Sequence, residues 1–195
     1  MNEHSFKIVI TGGPGFGKSS IINHLESMGY RVFHEISRDI IQHEQQTGGS
    51  RLPWIDHHAF NDAVFEGRKL QYDQATIPGE LYFFDRGLPD SLAYLLADEK
   101  KVPEEHFVET RIRPYYPVVF LTPPWKEIYQ KDSERWEEYG YAMKVHDNIR
   151  AFYGSFGYEL IDIPFDTVHN RVSFILNRLK EHIHPINHDM RDEHS

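Results

Sequence analysis

No cysteine occurs among the 195 residues, so disulfide bonds and cysteine-ligated zinc sites are excluded. Positive charge is also scarce: 21 lysines and arginines stand against 30 acids, which gives a formal net charge of −9. A chain this acidic is a poor general binder of nucleic acid, because that affinity comes mainly from neutralising phosphates. No apolar run is long enough to cross a bilayer. We therefore expect neither a nucleic-acid partner nor a membrane partner.

Missing motifs narrow the class of protein further. A guanine-specific GTPase needs an N-K-x-D motif, which is absent, and no D-x-x-G follows the third predicted strand. The chain also lacks the extra helical domain of AAA+ motor ATPases. A Ras-like switch and a motor are therefore disfavoured. Because residues 1–5 do not resemble a secretory signal and cysteine is absent, the expected localisation is cytoplasmic.

A phosphate-binding loop is the most informative feature that is present. Residues 12–19 read GGPGFGKS and fit G-x-x-x-x-G-K-[ST] between an apolar strand and a helix. Backbone N–H groups of such a loop surround a phosphate, and the helix N-terminus adds partial positive charge. Lys18 is expected to reach the outer phosphates of ATP, and the Ser19 hydroxyl to ligate Mg²⁺. The predicted nucleotide contacts are Gly12, Gly13, Pro14, Gly15, Phe16, Gly17, Lys18, Ser19 and Ser20.

Strand and helix patterns alternate along the chain. Apolar stretches predict strands near 6–11, 30–34, 80–85, 117–122 and 158–163. Helices are expected near 18–28, 37–46, 56–76, 89–98, 104–112, 126–153 (with a break) and 167–181. This alternation predicts an α/β, three-layer P-loop NTPase fold, with a five-stranded, mostly parallel sheet and helices on both faces. One domain is expected over 1–181, with a lid near 124–139, and then a polar, histidine-containing tail at 182–195.

An acid ends the third predicted strand. The apolar run 80–85 closes with Asp85, which is typical of a Walker-B element that holds or orients Mg²⁺. The alternative is an acid that caps the next helix, although Pro89 and Asp90 lie nearer to the start of that helix. Arg86 follows directly and adds positive charge where a nucleotide needs it.

A carboxylate and an arginine follow the second predicted strand. Glu35 falls at the same sheet edge as the phosphate-binding loop, because parallel strands bring their carboxyl ends together. It could accept a proton from an attacking hydroxyl or grip that hydroxyl, and Arg38 could orient an acceptor. The alternative is that Glu35 and Arg38 simply pair on the surface of the second helix.

Two cations follow the fourth predicted strand. Lys131 and Arg135 are four residues apart and share one face if this segment is helical. A lid that closes over ATP would place them on the β- and γ-phosphates, with Arg135 stabilising developing charge. Because Asp132 and Glu134 are interleaved, a solvated charged helix is the alternative. Elsewhere Trp54, on a predicted loop, could stack on the planar ring of an acceptor.

These motifs, in this order, resemble a known family. After the phosphate-binding loop come HEISRDII, FFDRGLPDSLAYL, KDSERWEE and YGSFGYELIDIP, with Arg171 following, so the likeness runs from about residue 5 to about residue 180. The ensemble is similar to the AAA-type ATPase/kinase-like P-loop domain family related to the nicotinamide riboside kinase domain of bacterial NAD-metabolism proteins. A looser likeness connects it to deoxynucleoside kinases.

The resemblance assigns roles by position: Glu35 as base or acceptor ligand, Asp85 and Arg86 for Mg²⁺ and phosphates, and Lys131 and Arg135 as the lid. Two features depart from the family pattern. Phe16 is bulky at a position that is usually small, which would narrow the loop. The lid also has fewer arginines than that of a typical nucleoside monophosphate kinase.

The sequence therefore predicts an ATP- and Mg²⁺-dependent kinase that transfers the γ-phosphoryl group to a small hydroxyl acceptor, with a nucleoside such as nicotinamide riboside as the candidate. Two alternatives stay open: a nucleoside triphosphatase with water as acceptor, and an ATP-gated binding module. The predicted catalytic residues are Lys18, Glu35, Asp85 and Arg135. The predicted substrate contacts are Glu35, Arg38, Trp54 and Arg86, and the predicted Mg²⁺ ligands are Ser19 and Asp85.

Overall fold

A computed structural model describes residues 4–129 and 138–183 and confirms the predicted α/β architecture. The strands within these residues are β1 (Phe6–Thr11), β2 (Arg31–Phe33), β3 (Leu81–Asp85), β4 (Val118–Leu121) and β5 (Glu159–Asp162). The helices are α1 (Lys18–Ser27), α2 (Ile36–Thr47), α3 (His57–Gln74), α4 (Leu88–Ala97), α5 (Glu104–Arg111), α6 (Tyr139–Ser155) and α7 (Val168–Ile183), with a short 3-10 helix at Lys126–Ile128.

The strands form a sheet of order β2-β3-β1-β4-β5, and each pairing between described strands is parallel. The chain moves to β2 and β3 on one side of β1 and to β4 and β5 on the other. In open α/β sheets, ligands bind beyond the carboxyl ends of the strands at such a reversal of strand order. The loop 12–17 leaves β1 at this point, so the topology places it where a ligand is expected.

Helices cover both faces of the sheet because side chains of a buried strand alternate in direction. Ile8 and Ile10 of β1 pack on the face that α1 and α7 cover, and Val9 packs on the face that α3, α4 and α6 cover. Strands that are buried on both faces need mainly apolar residues. The sequences of β1, β3 and β4 have this composition, which made these strands recognisable. The result is the three-layer arrangement predicted from the sequence.

The predicted bounds agree with the structure to within two residues, apart from the segment 126–153. There the structure has the 3-10 helix and then α6, which begins only at Tyr139, while residues 130–137 lie outside the described residues. The lid predictions for Lys131 and Arg135 fall in that gap. At the other end, α7 continues to Ile183, beyond the predicted tail boundary at 182, and residues 184–195 are also outside the described residues.

None of the helices within the described residues is both long enough and apolar enough to span a membrane.

Candidate functional site

The loop between β1 and α1 has a backbone that glycine alone accommodates at two points. Gly12 has a φ of 135°, and a Cβ there would lie 2.2 Å from Thr122 Oγ1. A Cβ on Gly13 would lie 2.5 Å from the carbonyl oxygen of Ala142. Real Cβ atoms do not approach other atoms so closely, so side chains are excluded at both positions. The missing side chains let the loop pack directly against β4 and α6.

Lys18 begins α1 and folds back over this loop. Its Nζ atom donates hydrogen bonds to the carbonyl oxygens of Gly12 (3.0 Å) and Gly13 (2.8 Å), and its side chain is buried. Burial, together with the nearby charge of Arg86, lowers the pKa of Lys18 to about 7. A phosphate that enters the loop would offer this ammonium a stronger, charged acceptor than the two carbonyls.

Phe16 is accommodated outside the loop interior. Its ring is fully buried among the rings of Tyr129, Tyr139 and His146, with centroid distances of 6.3, 6.0 and 5.9 Å. The ring therefore packs against α6 and against Tyr129, which directly follows the 3-10 helix. The expectation that Phe16 narrows the loop is not supported by this placement.

Asp85 ends β3 beside the first turn of α1. The Ser19 hydroxyl donates to Asp85 Oδ2 over 3.3 Å, whereas Oδ1 of the same carboxylate is buried and has no hydrogen-bond partner among the described residues. Burial raises the pKa of Asp85, and the charge of Glu35 raises it further. Oxygen ligands and an unpartnered carboxylate oxygen suit Mg²⁺, which prefers hard oxygen donors. Ser19 and Asp85 thus fit the predicted metal site.

Glu35 follows β2 and is held by two arginines. Arg68 Nη2 donates to Glu35 Oε1 over 3.1 Å, and Arg86 Nε donates to Glu35 Oε2. Burial alone would raise the pKa of Glu35, but the guanidinium groups of Arg86 and Arg68 prevail and hold that pKa at about 2. The carboxylate is therefore ionised at neutral pH and fixed in one orientation. Sequence reasoning assigned no role to Arg68, because its contact with Glu35 spans 33 residues.

Arg86 adopts a left-handed backbone with φ of 78°, which is unusual for a residue other than glycine. Its N–H donates to the carbonyl of Ile10, and its guanidinium donates to the carbonyl of Gly12 and to Asp90. A backbone of this kind costs about 1–3 kcal/mol and persists where the surroundings fix it. Arg86 thus connects the loop, Glu35 and α4 in one rigid arrangement.

Asp90 supports this arrangement from within the core. Its fully buried carboxylate accepts hydrogen bonds from Thr11 Oγ1 (2.5 Å), Tyr153 OH (2.7 Å), the Gly87 N–H (2.9 Å) and Arg86 Nη1 (3.0 Å). The bond from Gly87 is the helix-capping contact that the sequence suggested. The other bonds join β1 and α6 to Arg86, so Asp90 also fixes the position of Arg86.

We expect Asp90→Ala to lower the free energy of unfolding by about 3–5 kcal/mol, because it leaves the buried hydroxyls of Thr11 and Tyr153 without their acceptor and removes one of the two carboxylates that face Arg86. Urea unfolding followed by circular dichroism measures this change. The control is Asp147→Ala, at an exposed position of α6, which should change stability by less than about 0.5 kcal/mol. Equal stabilities of the two variants would contradict the supporting role of Asp90.

A cavity of about 840 Å³ opens from the loop and extends between α2, α3 and α4. Its size lies within the range typical of small-molecule sites. Six cationic and four acidic side chains line it, although the chain as a whole carries a net charge of −9. Positive charge is therefore concentrated where a polyanionic nucleotide would need it.

Most of the predicted site residues line this one cavity: Pro14, Gly15, Gly17, Lys18, Ser19, Ser20, Glu35, Arg38, Asp85 and Arg86. Gly12 and Gly13 instead supply the carbonyl oxygens that hold Lys18. Trp54 is on the outer surface, with 54% of its area exposed, while the adjacent Pro53 lines the cavity. The position of Trp54 therefore gives no support to the predicted ring stacking.

Sequence reasoning gave no role to two further cavity residues, Trp125 and Arg171. Arg171 of α7 is 2% exposed, and its Nη2 lies 3.4 Å from the carbonyl oxygen of Phe16. Its guanidinium carbon is 5.5 Å from the ring centroid of Trp125, within the range of a cation–π contact. The signal for Arg171 in the sequence was its place after the last motif of the family resemblance, which gave it no role.

Comparisons with known proteins identify the family and support the fold. A protein-family model described as an AAA domain matches residues 7–171. A search among curated proteins gives no match. Among solved structures, deoxyadenosine kinase from M. mycoides with bound dATP is similar, with a TM-score of 0.65, 19% identity, and coverage of 90% of this chain and 99% of that one.

Two other similar structures are NadR and a thymidylate kinase. NadR protein in complex with NR has a TM-score of 0.66 and 15% identity, and the match covers 91% of this chain and 51% of NadR. Thymidylate kinase from Candida albicans has a TM-score of 0.59 and 17% identity, and the match covers 91% and 92% of the two chains. These likenesses show a shared P-loop kinase fold. Because the family model spans most of the sequence, the chain belongs to this family of AAA domains.

Proposed function

We propose that the protein is a kinase that transfers the γ-phosphoryl group of ATP to a hydroxyl group of a nucleoside. One observation carries the proposal: the ionised carboxylate of Glu35, fixed by Arg68 and Arg86, lines the same cavity as the phosphate-binding loop. A hydrolase needs only a water molecule beyond the γ-phosphate. A pocket with its own oriented carboxylate suits a bound hydroxyl acceptor.

On the donor side, Lys18 and the loop N–H groups would hold the β- and γ-phosphates. Ser19 and Asp85 would hold Mg²⁺. The bound ion would neutralise part of the phosphate charge. Within the same proposal, Lys131 and Arg135 belong to a lid near 124–139 of a single domain spanning 1–181. Their role would be to add positive charge above the phosphates.

On the acceptor side, Glu35 would orient the attacking hydroxyl. Its pKa of about 2 makes it a weak base, so orientation contributes more than base strength. The transition state of phosphoryl transfer is loose, and catalysis comes mostly from positioning and electrostatics. Arg38, also on the cavity wall, would contact the acceptor away from the reacting oxygen.

The shape of the acceptor half favours a nucleoside. Two contacts join α3 to α4: Arg68 Nη1 donates to Ser91 Oγ (2.6 Å), and His57 Nε2 lies 2.6 Å from Asp98 Oδ2. Ser91 and Asp98 are seven residues apart, or about 10 Å at the helical rise of 1.5 Å per residue. Between the two contacts the cavity wall is mainly apolar and aromatic, with Phe60, Val64 and Tyr94. Such walls suit a planar base.

The similar structures point to the same class of acceptor. One is a deoxyadenosine kinase, and another is NadR, whose structure holds NR. Nicotinamide riboside is therefore the first acceptor to test, followed by common ribonucleosides and deoxyribonucleosides.

The test incubates the protein with γ-labelled ATP, Mg²⁺ and single nucleosides and separates the products by chromatography. The expected result is label in a nucleoside monophosphate, with little label in free phosphate. Label only in free phosphate would identify a hydrolase and overturn the proposal. Tight nucleotide binding without release of label would identify a binding module instead.

A further inference from the structure

A hydrogen-bonded network of four residues lines the acceptor part of the cavity. His57 Nε2 lies 2.6 Å from Asp98 Oδ2 and is the donor in this contact, because a carboxylate only accepts. The amide nitrogen of Asn61 lies 2.9 Å from His57 Nδ1 and 3.3 Å from His57 Nε2. Tyr141 OH donates to the other carboxylate oxygen, Asp98 Oδ1, over 2.6 Å. The network thus joins α3 and α6 to the residue that follows α4. All four of its residues line the cavity.

The carboxylate of Asp98 can accept further hydrogen bonds beyond the two that this network uses. An ionised carboxylate offers about four lone-pair positions, and His57 and Tyr141 use one on each oxygen. The side chain is 18% exposed, and Asp98 lines the cavity, so a bound molecule can reach it. A carboxylate has no donor of its own, and both side chains that bond to it are donors. A ligand group that meets Asp98 must therefore present an N–H or O–H group.

The position of Asp98 specifies which part of an acceptor it would meet. Glu35, Arg68 and Arg86 mark the reacting end. Asp98 directly follows α4 and lies seven residues beyond Ser91, which contacts Arg68. A nucleoside with its hydroxyl at Glu35 would extend past the apolar wall and present the edge of its base to Asp98. Lys100 and Tyr94 also line the cavity but do not supply a carboxylate.

We propose that Asp98 selects the acceptor by its base: it accepts a hydrogen bond from an exocyclic amino or carboxamide group and disfavours a carbonyl or carboxylate at the same place. This inference rests on the proposed nucleoside kinase activity and adds the substrate class to it. A carbonyl or carboxylate would place two acceptors against each other, and a carboxylate would add repulsion between like charges. Nicotinamide riboside and adenosine have the favoured group, whereas nicotinic acid riboside and inosine do not.

The test compares Asp98→Asn with the wild-type protein on two matched pairs, nicotinamide riboside against nicotinic acid riboside and adenosine against inosine. Both kcat/KM and the dissociation constant from calorimetry are measured for each nucleoside. For the wild type we expect the first member of at least one pair to be preferred by about 10- to 100-fold, the effect of leaving one buried polar group unpaired. Asparagine both donates and accepts, so Asp98→Asn should reduce this preference by about tenfold or more, with KM for ATP unchanged.

The control is Glu99→Gln, which neutralises the adjacent acid at an exposed position, and it should leave the preference unchanged. If Asp98→Asn weakens both members of a pair equally, Asp98 only connects the helices and the inference is overturned. If Asp98→Asn does not fold, the variant to test is Tyr141→Phe, which retains the Asp98 carboxylate and should keep the preference between the two nucleosides. Loss of the preference in Tyr141→Phe would also overturn the inference. Nucleoside binding without phosphorylation would refute the kinase activity, while the dissociation constants would still decide the role of Asp98. Absence of nucleoside binding would overturn both.

Discussion

Replacing Lys18 with alanine is expected to lower kcat for phosphoryl transfer by at least about 10³-fold, the scale on which cationic groups act in such reactions. Lys18 is the buried cation over the phosphate-binding loop, and its only hydrogen bonds to described residues go to loop carbonyls that a phosphate can replace. Removal of its ammonium leaves developing phosphate charge without that partner. Steady-state kinetics with the acceptor identified by the labelling assay measures the change.

The matched control for this variant is Lys101→Ala, at an exposed position after α4, which should keep wild-type kcat. Circular dichroism should show both variants folded, because the Lys18 side chain bonds only to its own loop. A Lys18→Ala variant with normal turnover would refute the assigned role.

The lowered pKa of Lys18 gives the same residue a second, independent readout. In the free protein burial holds this pKa near 7, so at pH 8 most molecules have a neutral Lys18. Bound phosphates favour the ammonium and raise its pKa, so nucleotide binding at pH 8 should take up close to one proton. ATP affinity should accordingly fall as pH rises above 7. Calorimetry in buffers of different ionisation enthalpy measures the uptake, which should disappear in Lys18→Met.

The features that the sequence predicted well are local ones. The loop 12–19 combines a motif, a preceding apolar strand and a following helix within about twenty residues, so each part supports the others. The central strands β1, β3 and β4 were recognisable because each is a short, mainly apolar run, as a sheet covered on both faces requires. The edge shared by Glu35, Asp85 and the loop followed from parallel topology alone.

The features that were not predicted depend on contacts between distant parts of the chain. Arg68 is one of many polar residues on α3, and only the packing of α3 against α2 and α4 brings it to Glu35. Tyr153 donates to Asp90 across 63 residues, and no spacing rule indicates that contact. Phe16 was read as an obstruction because its side-chain direction depends on α6, which lies more than 120 residues further on. Trp54 was assigned by residue type, which gives no information about exposure.

Glu35→Gln is expected to lower kcat by about 10²- to 10⁴-fold while KM for ATP stays within about twofold, because the residue serves the acceptor and not the donor. Glutamine retains the shape of the side chain but removes the charge that Arg68 and Arg86 hold. One of its amide hydrogens would also face a guanidinium donor. Single-turnover kinetics at saturating ATP separates this loss of chemistry from any loss of acceptor binding.

A shorter carboxylate at position 35 distinguishes the effect of the negative charge from the effect of its exact position. Glu35→Asp keeps the negative charge but withdraws it by one methylene, and a displacement of about 1 Å can cost on the order of 10²-fold in rate. Near-normal activity in this variant would show that the pocket needs only negative charge there. Because the pKa of Glu35 is about 2, its protonation should not reduce the wild-type rate as pH falls from 7 to 5. An acid limb in that window that disappears in Glu35→Gln would assign Glu35 a raised pKa and make it a general base after all.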